Sequence, residues 1–270
     1  MRTRAALAAA LLTAALAAVA PGTPASAASG VSQRLGFDAC TPSVAQMRAF
    51  WNNTPYSNAG LYIGGADLGC PAADAAYVRE LRAMGWQLMP LWVGPQAPCS
   101  GEPVRMSGDA ATARRQGRAE AIAAYRRLVA LGMDTAGTPV TYDMEGFDTA
   151  DAGCLAAVKA FTQGWVEQMH VPPAQRAGVY GSACASGLAV LATIPNPPDY
   201  VTGAAWDNDR DTAHLPCVGS GLWVHHQRHK QYAGPHDETW NGVRLTVDSD
   251  CSDGPVYPGP DQPNTGMGCV

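Results

Sequence analysis

Charge is scarce in this chain: 15% of its 270 residues are Asp, Glu, Lys or Arg, where an ordinary soluble domain carries about 25%. The balance is acidic, with a formal net charge of −5, which excludes the basic footprint of a nucleic-acid binder. No segment recurs with a solenoid period and glycine follows no collagen-like rhythm. There is no C-x-x-C pair, no H-E-x-x-H and no G-x-S-x-G, which argues against a zinc site and against the nucleophile elbow of a serine hydrolase. Beyond the first thirty residues no apolar run is long enough to cross a bilayer. What remains is an apolar content of 47%, enough to fill a core. The 29 glycines and 21 prolines, roughly a fifth of the chain against a usual share of about 12%, announce many loops.

The amino terminus has its own logic. Arg2 and Arg4 precede an apolar run from Ala5 to Ala20 that only Thr13 interrupts, followed by Ala25-Ser26-Ala27. A basic region, an apolar stretch and an A-x-A site in that order predict a signal peptide over residues 1–27, cleaved near Ala27 by the general secretory route. The remainder, roughly 240 residues, is then expected outside the cytoplasm, secreted or at the cell wall, without a membrane anchor. Sparse charge and the lack of an obvious amphipathic interface helix point to a monomer.

All eight cysteines (Cys40, Cys70, Cys99, Cys154, Cys184, Cys217, Cys251 and Cys269) follow the leader. An even count in an exported chain predicts disulfides, up to four. Short apolar runs alternate with helical patterns. Strands are expected at 35–39, 60–64, 87–93, 138–145, 177–180, 201–206, 222–226 and 245–248, and helices at 43–51, 74–84, 110–131, 152–169 and 183–191, with Gly85 and Gly132 placed to cap two of them. Strand followed by helix at about thirty residues per unit predicts a (β/α)8 TIM-type barrel, irregular in its second half and stapled by disulfides. A doubly wound sheet fits the same alternation. The barrel domain is expected over 28–253, with a Pro/Gly-rich tail over 254–270 held back only if Cys269 is paired. Loops that neighbour one another around a barrel suggest Cys70 with Cys99, Cys154 with Cys184 and Cys40 with Cys251.

Carboxylates gather at predicted strand ends. Asp38 closes the first strand, Asp143 and Glu145 the fourth, and Asp248 the last. Residues two apart on a strand share a face, so Asp143 and Glu145 point the same way, and in a barrel all four converge on one mouth. Crowded acids raise one another's pKa, which keeps a carboxyl protonated near neutral pH so that it can donate. Cleavage of a glycosidic bond uses such a pair. Taken singly, each acid could equally be the N-cap of the following helix. Trp92, Tyr180 and Trp206 close three other strands; each is either a surface on which a sugar ring stacks or a core residue. His225, His226 and His229 form the densest histidine cluster, but in a strand leading into a loop without the zincin glutamate, so no metal and no cofactor are expected.

These residues carry a resemblance. Gly36-Phe37-Asp38-Ala39-Cys40-Thr41-Pro42-Ser43, Leu61-Tyr62-Ile63-Gly64-Gly65, Gly85-Trp86, Val93-Gly94-Pro95-Gln96, Tyr142-Asp143-Met144-Glu145 and the run from Gln231 through Trp240 to Asp250 resemble the secreted bacterial glycoside-hydrolase-like domain called domain of unknown function 1906. That family is similar to the family-25 glycoside hydrolases, muramidases that cut peptidoglycan. The resemblance implies Glu145 as general acid and Asp143 as the group that stabilises the cation or positions the substrate's 2-acetamido group. It implies Asp38 and Asp248 as tuning and sugar-holding acids, and adds Gln96 and Gln231 to the aromatics as sugar contacts. The expected substrate is a cell-wall polysaccharide, peptidoglycan. Two alternatives stay open: a wall-binding or remodelling accessory that kept the barrel without turnover, and a hydrolase of wall peptides.

Overall fold

The computed structural model describes residues 30–185, 187–258 and 269; the predicted leader over 1–27 lies outside them. In chain order the elements are β1 (Gly30–Ser32), β2 (Leu35–Asp38), α1 (Val44–Phe50), β3 (Asn58–Gly64), α2 (Ala75–Met84), β4 (Gln87–Trp92), α3 (Ala110–Leu131), β5 (Pro139–Asp143), α4 (Ala152–Met169), β6 (Arg176–Ser182), α5 (Leu188–Leu191), β7 (Tyr200–Ala204), β8 (Arg228–Trp240) and β9 (Val243–Val256). Strands β2 to β8 lie side by side, each parallel to the next. β9 closes the ring by pairing antiparallel with both β8 and β2, and β1 continues the β2 ladder along the same edge of β9 in the same register. The result is a closed eight-stranded barrel of mixed direction with five flanking helices among the described residues.

Local chemistry starts and stops the helices where the sequence signals it. Ser43 accepts from the Gln46 amide while the Gln46 side chain reaches back to Ser43, a capping box that opens α1. Asp74, Asp109 and Asp151 cap α2, α3 and α4 by accepting from backbone amides of the first turn. Gly85 and Gly132 end α2 and α3 in left-handed conformations, as expected of residues without a Cβ. α3 and α4 approach each other closely enough that a Cβ on Gly164 would stand 2.1 Å from the Arg114 carbonyl oxygen. The core beneath them includes Trp86, Trp165, Tyr142, Phe37 and Phe161, all fully buried.

The all-parallel barrel is corrected in its last quarter. The expected strand at 222–226 is a turn, because Trp223, His225 and His226 all have left-handed backbone, which no strand accommodates. The strand starts at Arg228 and runs straight into a hairpin: Trp240 pairs with Val243 across Asn241-Gly242, both at positive φ. Asn-Gly is the strongest short-range hairpin signal, and it brings the chain back antiparallel where a parallel strand was expected. The helix expected at 183–191 shrinks to the single turn of α5.

The suggested cysteine pairs are also corrected. The bridges are Cys40–Cys70, Cys99–Cys154, Cys184–Cys217 and Cys251–Cys269. Adjacent loops are joined, as barrel geometry requires, but the pairing starts one loop earlier than suggested. Cys251 lies inside β9 and not in a loop after it, so it takes Cys269 as partner, and that bridge ties residue 269 to the barrel. Tyr257, just past β9, is buried and pairs with Leu88.

Candidate active site

The carboxyl ends of the parallel strands form a mouth, and its acids arrive by two routes. From the parallel strands come Asp38, the last residue of β2, and Asp143, the last of β5, with Glu145 two residues further on. From the antiparallel β9 come Asp248, opposite Asp38, and Asp250, opposite both Gly36 and Gln231. All five line one cavity of about 240 Å³, together with Tyr62, Thr141, Tyr180, Gln231 and Trp206. Gly60 makes room for this arrangement: a Cβ there would stand 2.4 Å from the Cβ of Asp38.

Among the described residues none of these five acids forms an ion pair, so nothing cationic offsets their mutual repulsion directly. Burial raises the pKa of Asp38, although hydrogen bonds from Gln231 Nε2 (2.9 Å, to Oδ2) and the Tyr62 hydroxyl (3.0 Å, to Oδ1) work against that rise. Burial, and then the charges of Glu145 and Asp38, hold Asp143 well above the usual carboxylate range. Asp250 is raised likewise, by burial and by Asp38 and Asp248. Asp248 is pushed up to about 7 by desolvation and Asp38, against the pull of His236. Glu145 stands at the rim in contact with solvent. Partial desolvation and the charges of Glu102, Asp38 and Asp67 raise its pKa as well. Desolvation thus raises every member and like charge adds to the rise at Asp143, Glu145, Asp248 and Asp250, which favours the neutral acids. One oxygen each of Asp143 and Asp248 is buried with no hydrogen-bond partner, a costly state unless a ligand's polar groups complete it.

The remaining expected site residues divide. Tyr180, Trp206 and Gln231 do reach the cavity and form one unit: the Tyr180 hydroxyl (3.0 Å) and Trp206 Nε1 (2.9 Å) both donate to Gln231 Oε1. That leaves the amide nitrogen of Gln231 for Asp38. The loop carrying Trp206 is fastened from below by Lys230, whose buried ammonium donates to Asp207 Oδ2 (3.1 Å) and the His214 carbonyl (2.9 Å). Trp92 does not face the cavity. Met89 and Leu91 do, so strand alternation turns Trp92 outward, where its Nε1 donates to Glu120 Oε2 (2.7 Å) on α3. Gln96 is wholly buried beneath the mouth. Its Nε2 donates to the carbonyls of Gly94 and Asp143 (both 2.9 Å), and its Oε1 accepts from the Glu145 amide (2.8 Å). It fixes the backbone turn that presents Glu145 and has no access to a ligand.

Tyr62 and Asp250 were missed. Asp250 could have been found by the two-residue rule already applied to Asp143 and Glu145, because Asp248-Ser249-Asp250 is the same pattern on the last strand. The histidines separate: His226 Nδ1 meets Asp253 Oδ1 (2.6 Å) at the surface, while His229 is buried against Ser252 (3.0 Å), its pKa lowered to about 4 by desolvation. Among the described residues no group of three His, Cys, Asp or Glu side chains is placed to hold a metal ion, and no helix is long and apolar enough to cross a membrane.

Comparison with known proteins now bears on this geometry. Residues 49–252 match the family described as Rv2525c-like, glycoside hydrolase-like domain. The chain belongs to this glycoside-hydrolase-like family. Among solved structures it is similar to an uncharacterized B. stearothermophilus protein, at 14% identity and a TM-score of 0.55 over 81% of this chain and 95% of that one. It is also similar to the catalytic domain of endolysin ply40 from bacteriophage P40 of Listeria monocytogenes, at 13% identity and a TM-score of 0.51 over 82% and 93% of the two chains. A looser match, with a TM-score of 0.48 at 12% identity over 92% and 97%, is a family 25 glycosyl hydrolase from Bacillus anthracis. At these identities the likeness concerns the fold. No curated protein matches the chain in sequence.

Proposed function

We propose that this member of the glycoside-hydrolase-like family is an exported hydrolase of cell-wall glycan, peptidoglycan, with Glu145 as the general acid. The observation that carries this reading is the position of Glu145. Of the five acids it is the most exposed to solvent, and desolvation with the charges of Glu102, Asp38 and Asp67 moves its pKa upward, the direction that a general acid working near neutral pH needs. Protonation of the glycosidic oxygen by Glu145 lets the bond break with its electron pair on that oxygen, and positive charge grows on the sugar ring. A carboxyl that is neutral in the empty site ionises more readily beside such a cation. Asp143, two residues from Glu145 and buried, is placed to answer that charge or to orient a substrate acetamido group. Asp38 and Asp248 hold and polarise the sugar from the opposite strands, and Tyr180, Trp206 and Gln231 form its lateral wall. The predicted leader supports delivery outside the membrane.

The test uses the protein without residues 1–27, disulfides intact, incubated with peptidoglycan from several bacteria, with fragments identified by mass spectrometry. New reducing ends from the wild type, lost by about 10²–10⁴-fold in Glu145→Gln with unchanged thermal stability, are the expected outcome for removal of a general acid. Equal activity in the variant would overturn the assignment. One observation favours the second reading, a glycan-binding accessory without turnover. Burial and like charge raise Asp143 and Asp250 well above the ordinary carboxylate range, which favours the protonated form, a hydrogen-bonding group suited to sugar hydroxyls, and retention on the wall with no new reducing ends from either protein would select it.

A further inference from the structure

We propose that His236 is a positioning residue for the mouth: held as an imidazolium behind the barrel wall, it stabilises the carboxylate form of Asp248 and readies that residue to accept from a sugar hydroxyl or amide. The part given to Asp248 in sugar binding rests on the hydrolase reading above. The charge on His236 does not.

A bulge in β8 puts the imidazole in place. Ala233 lies opposite Ser249 and His236 opposite Val247, so three steps along β8 face two along β9. The extra residue falls in Gly234-Pro235, where a proline without an N–H suits a break in the ladder. Pro235 and Asp248 line the acid cavity. Ser249, next to Asp248 and therefore on the other face of β9, lies 3.5 Å from His236 Nε2. The ring thus stands across the wall from the ligand and acts on Asp248 through its field.

Hydrogen bonds fix its protonation state. Nδ1 faces the Gly234 carbonyl (2.8 Å) and Nε2 faces Glu238 Oε1 (3.2 Å). Both partners are acceptors, so both ring nitrogens carry a proton. Glu238 has the donors that a carboxylate needs: the Tyr56 hydroxyl gives to Oε1 (2.7 Å) and Trp240 Nε1 to Oε2. With its proton given to Glu238, Tyr56 accepts from the Ser249 hydroxyl (2.8 Å), which leaves Ser249 Oγ only lone pairs to turn toward Nε2. The Gly234 carbonyl, and then Glu238 and Asp248, raise the pKa of His236 above its ordinary value, against partial desolvation. The neighbouring Asp237 is matched by Arg244 and Thr246, so its charge is answered locally.

The consequence falls on Asp248, because a nearby cation favours an ionised carboxyl. With His236 in place Asp248 reaches about 7; without it, desolvation and the charges of Asp38 and Glu145 act unopposed. One oxygen of Asp248 is buried without a partner, and a charged acceptor there holds a hydroxyl or amide about twice as strongly as a neutral one. Asp143 and Asp250, raised well above the ordinary range, favour the form that donates. The wall then offers a ligand an acceptor beside donors.

The test follows the Asp248 carboxyl by carbon-13 NMR titration in the wild type, His236→Gln and His236→Lys. In His236→Gln its midpoint should rise by about one pH unit, a tenfold gain in proton affinity. His236→Lys restores the charge without the ring and should return the midpoint toward the wild-type value. An unmoved midpoint in His236→Gln, or the same shift in both variants, overturns the proposal, since a merely structural histidine is not replaced by a lysine. The wild-type ring decides the matter even if the variants fold poorly: its nitrogen-15 titration should have a midpoint above 6.5, and one at or below that value overturns the proposal. On wall glycan, the acidic limb of kcat/KM should move in the alkaline direction by the same unit in His236→Gln and return in His236→Lys. A limb that stays in place while the Asp248 midpoint moves overturns the positioning role. A wild type that cleaves no glycan overturns the hydrolase reading instead and leaves the two NMR titrations to decide the charge on His236.

Discussion

The two halves of the barrel are held together by different means. From β2 to α4 the chain is a run of parallel strands backed by helices of 7, 10, 22 and 18 residues, and α3 packs on α4 at Gly117 and Gly164 with no room for a Cβ at either. From β6 onward the only helix among the described residues is the four-residue α5. Its place is taken by the Cys184–Cys217 bridge, by the buried Lys230 under the Asp207 loop and by the long β8–β9 hairpin. The active-site acids come from both halves: Asp38, Asp143 and Glu145 from the helix-backed side, Asp248 and Asp250 from the hairpin. A mouth that depends on converging strand ends tolerates the loss of outer helices, provided that something else holds the strands in register.

That contrast can be sharpened by breaking each half separately. Gly164→Val would drive a side chain into the Arg114 carbonyl at the α3–α4 contact, and such overpacking should cost about 3 kcal/mol, read as a lower denaturant midpoint for the whole chain. Replacing Cys184 and Cys217 together by Ser should cost about 2 kcal/mol, and its distinctive sign should be faster hydrogen exchange confined to the loops after β6 and β7. If both changes loosened the molecule uniformly, the division into differently held halves would be wrong. Gly242→Ala places a side chain where the hairpin needs φ of +75° and should cost about 1 kcal/mol. Its effect should appear in exchange along β8 and β9 before it appears elsewhere.

The mouth links the halves through protons. Asp248 has a pKa of about 7 in the folded chain against 3.8 as reference, so between those values the folded state holds a proton that the unfolded chain has released. Stability should therefore fall as pH rises from about 4 to 7. Asp38, Asp143 and Asp250, raised by the same burial, act in the same direction. Asp248→Asn should flatten part of that slope, measured as urea midpoints across the pH series. A slope of equal steepness in the variant would remove Asp248 from the linkage.

Much of the first half was legible in the sequence because local signals agree there. Capping residues, helical periodicity and terminal glycines all mark the same boundaries, and strand alternation correctly aimed Asp143 inward. The second half was read by extending that rhythm, and the rhythm stops. Asn241-Gly242 announces a hairpin in plain residues, a signal that a reading built on strand–helix alternation passes over. Trp92 and Gln96 show a different limit. Both stand beside the mouth in sequence, yet Trp92 faces α3 because a single residue of phase decides which side of a strand a group occupies, and Gln96, in the loop after β4, lies beneath the Glu145 turn because its amide bonds the backbone there. The disulfide pairs depended on which loops are adjacent and on Cys251 being inside β9, and spacing alone carries neither fact.

The claim on which the account rests is that acids from the two halves share one desolvated mouth. It is tested most directly by carbon-13 NMR titration of the Asp and Glu carboxyls in the wild type and in Asp38→Asn. The account predicts that Asp248 titrates near pH 7 and Glu145 above its ordinary range, and that both move down when the Asp38 charge is removed. Carboxyls at 145 and 248 that titrate as in a free peptide, unmoved by that substitution, would contradict it.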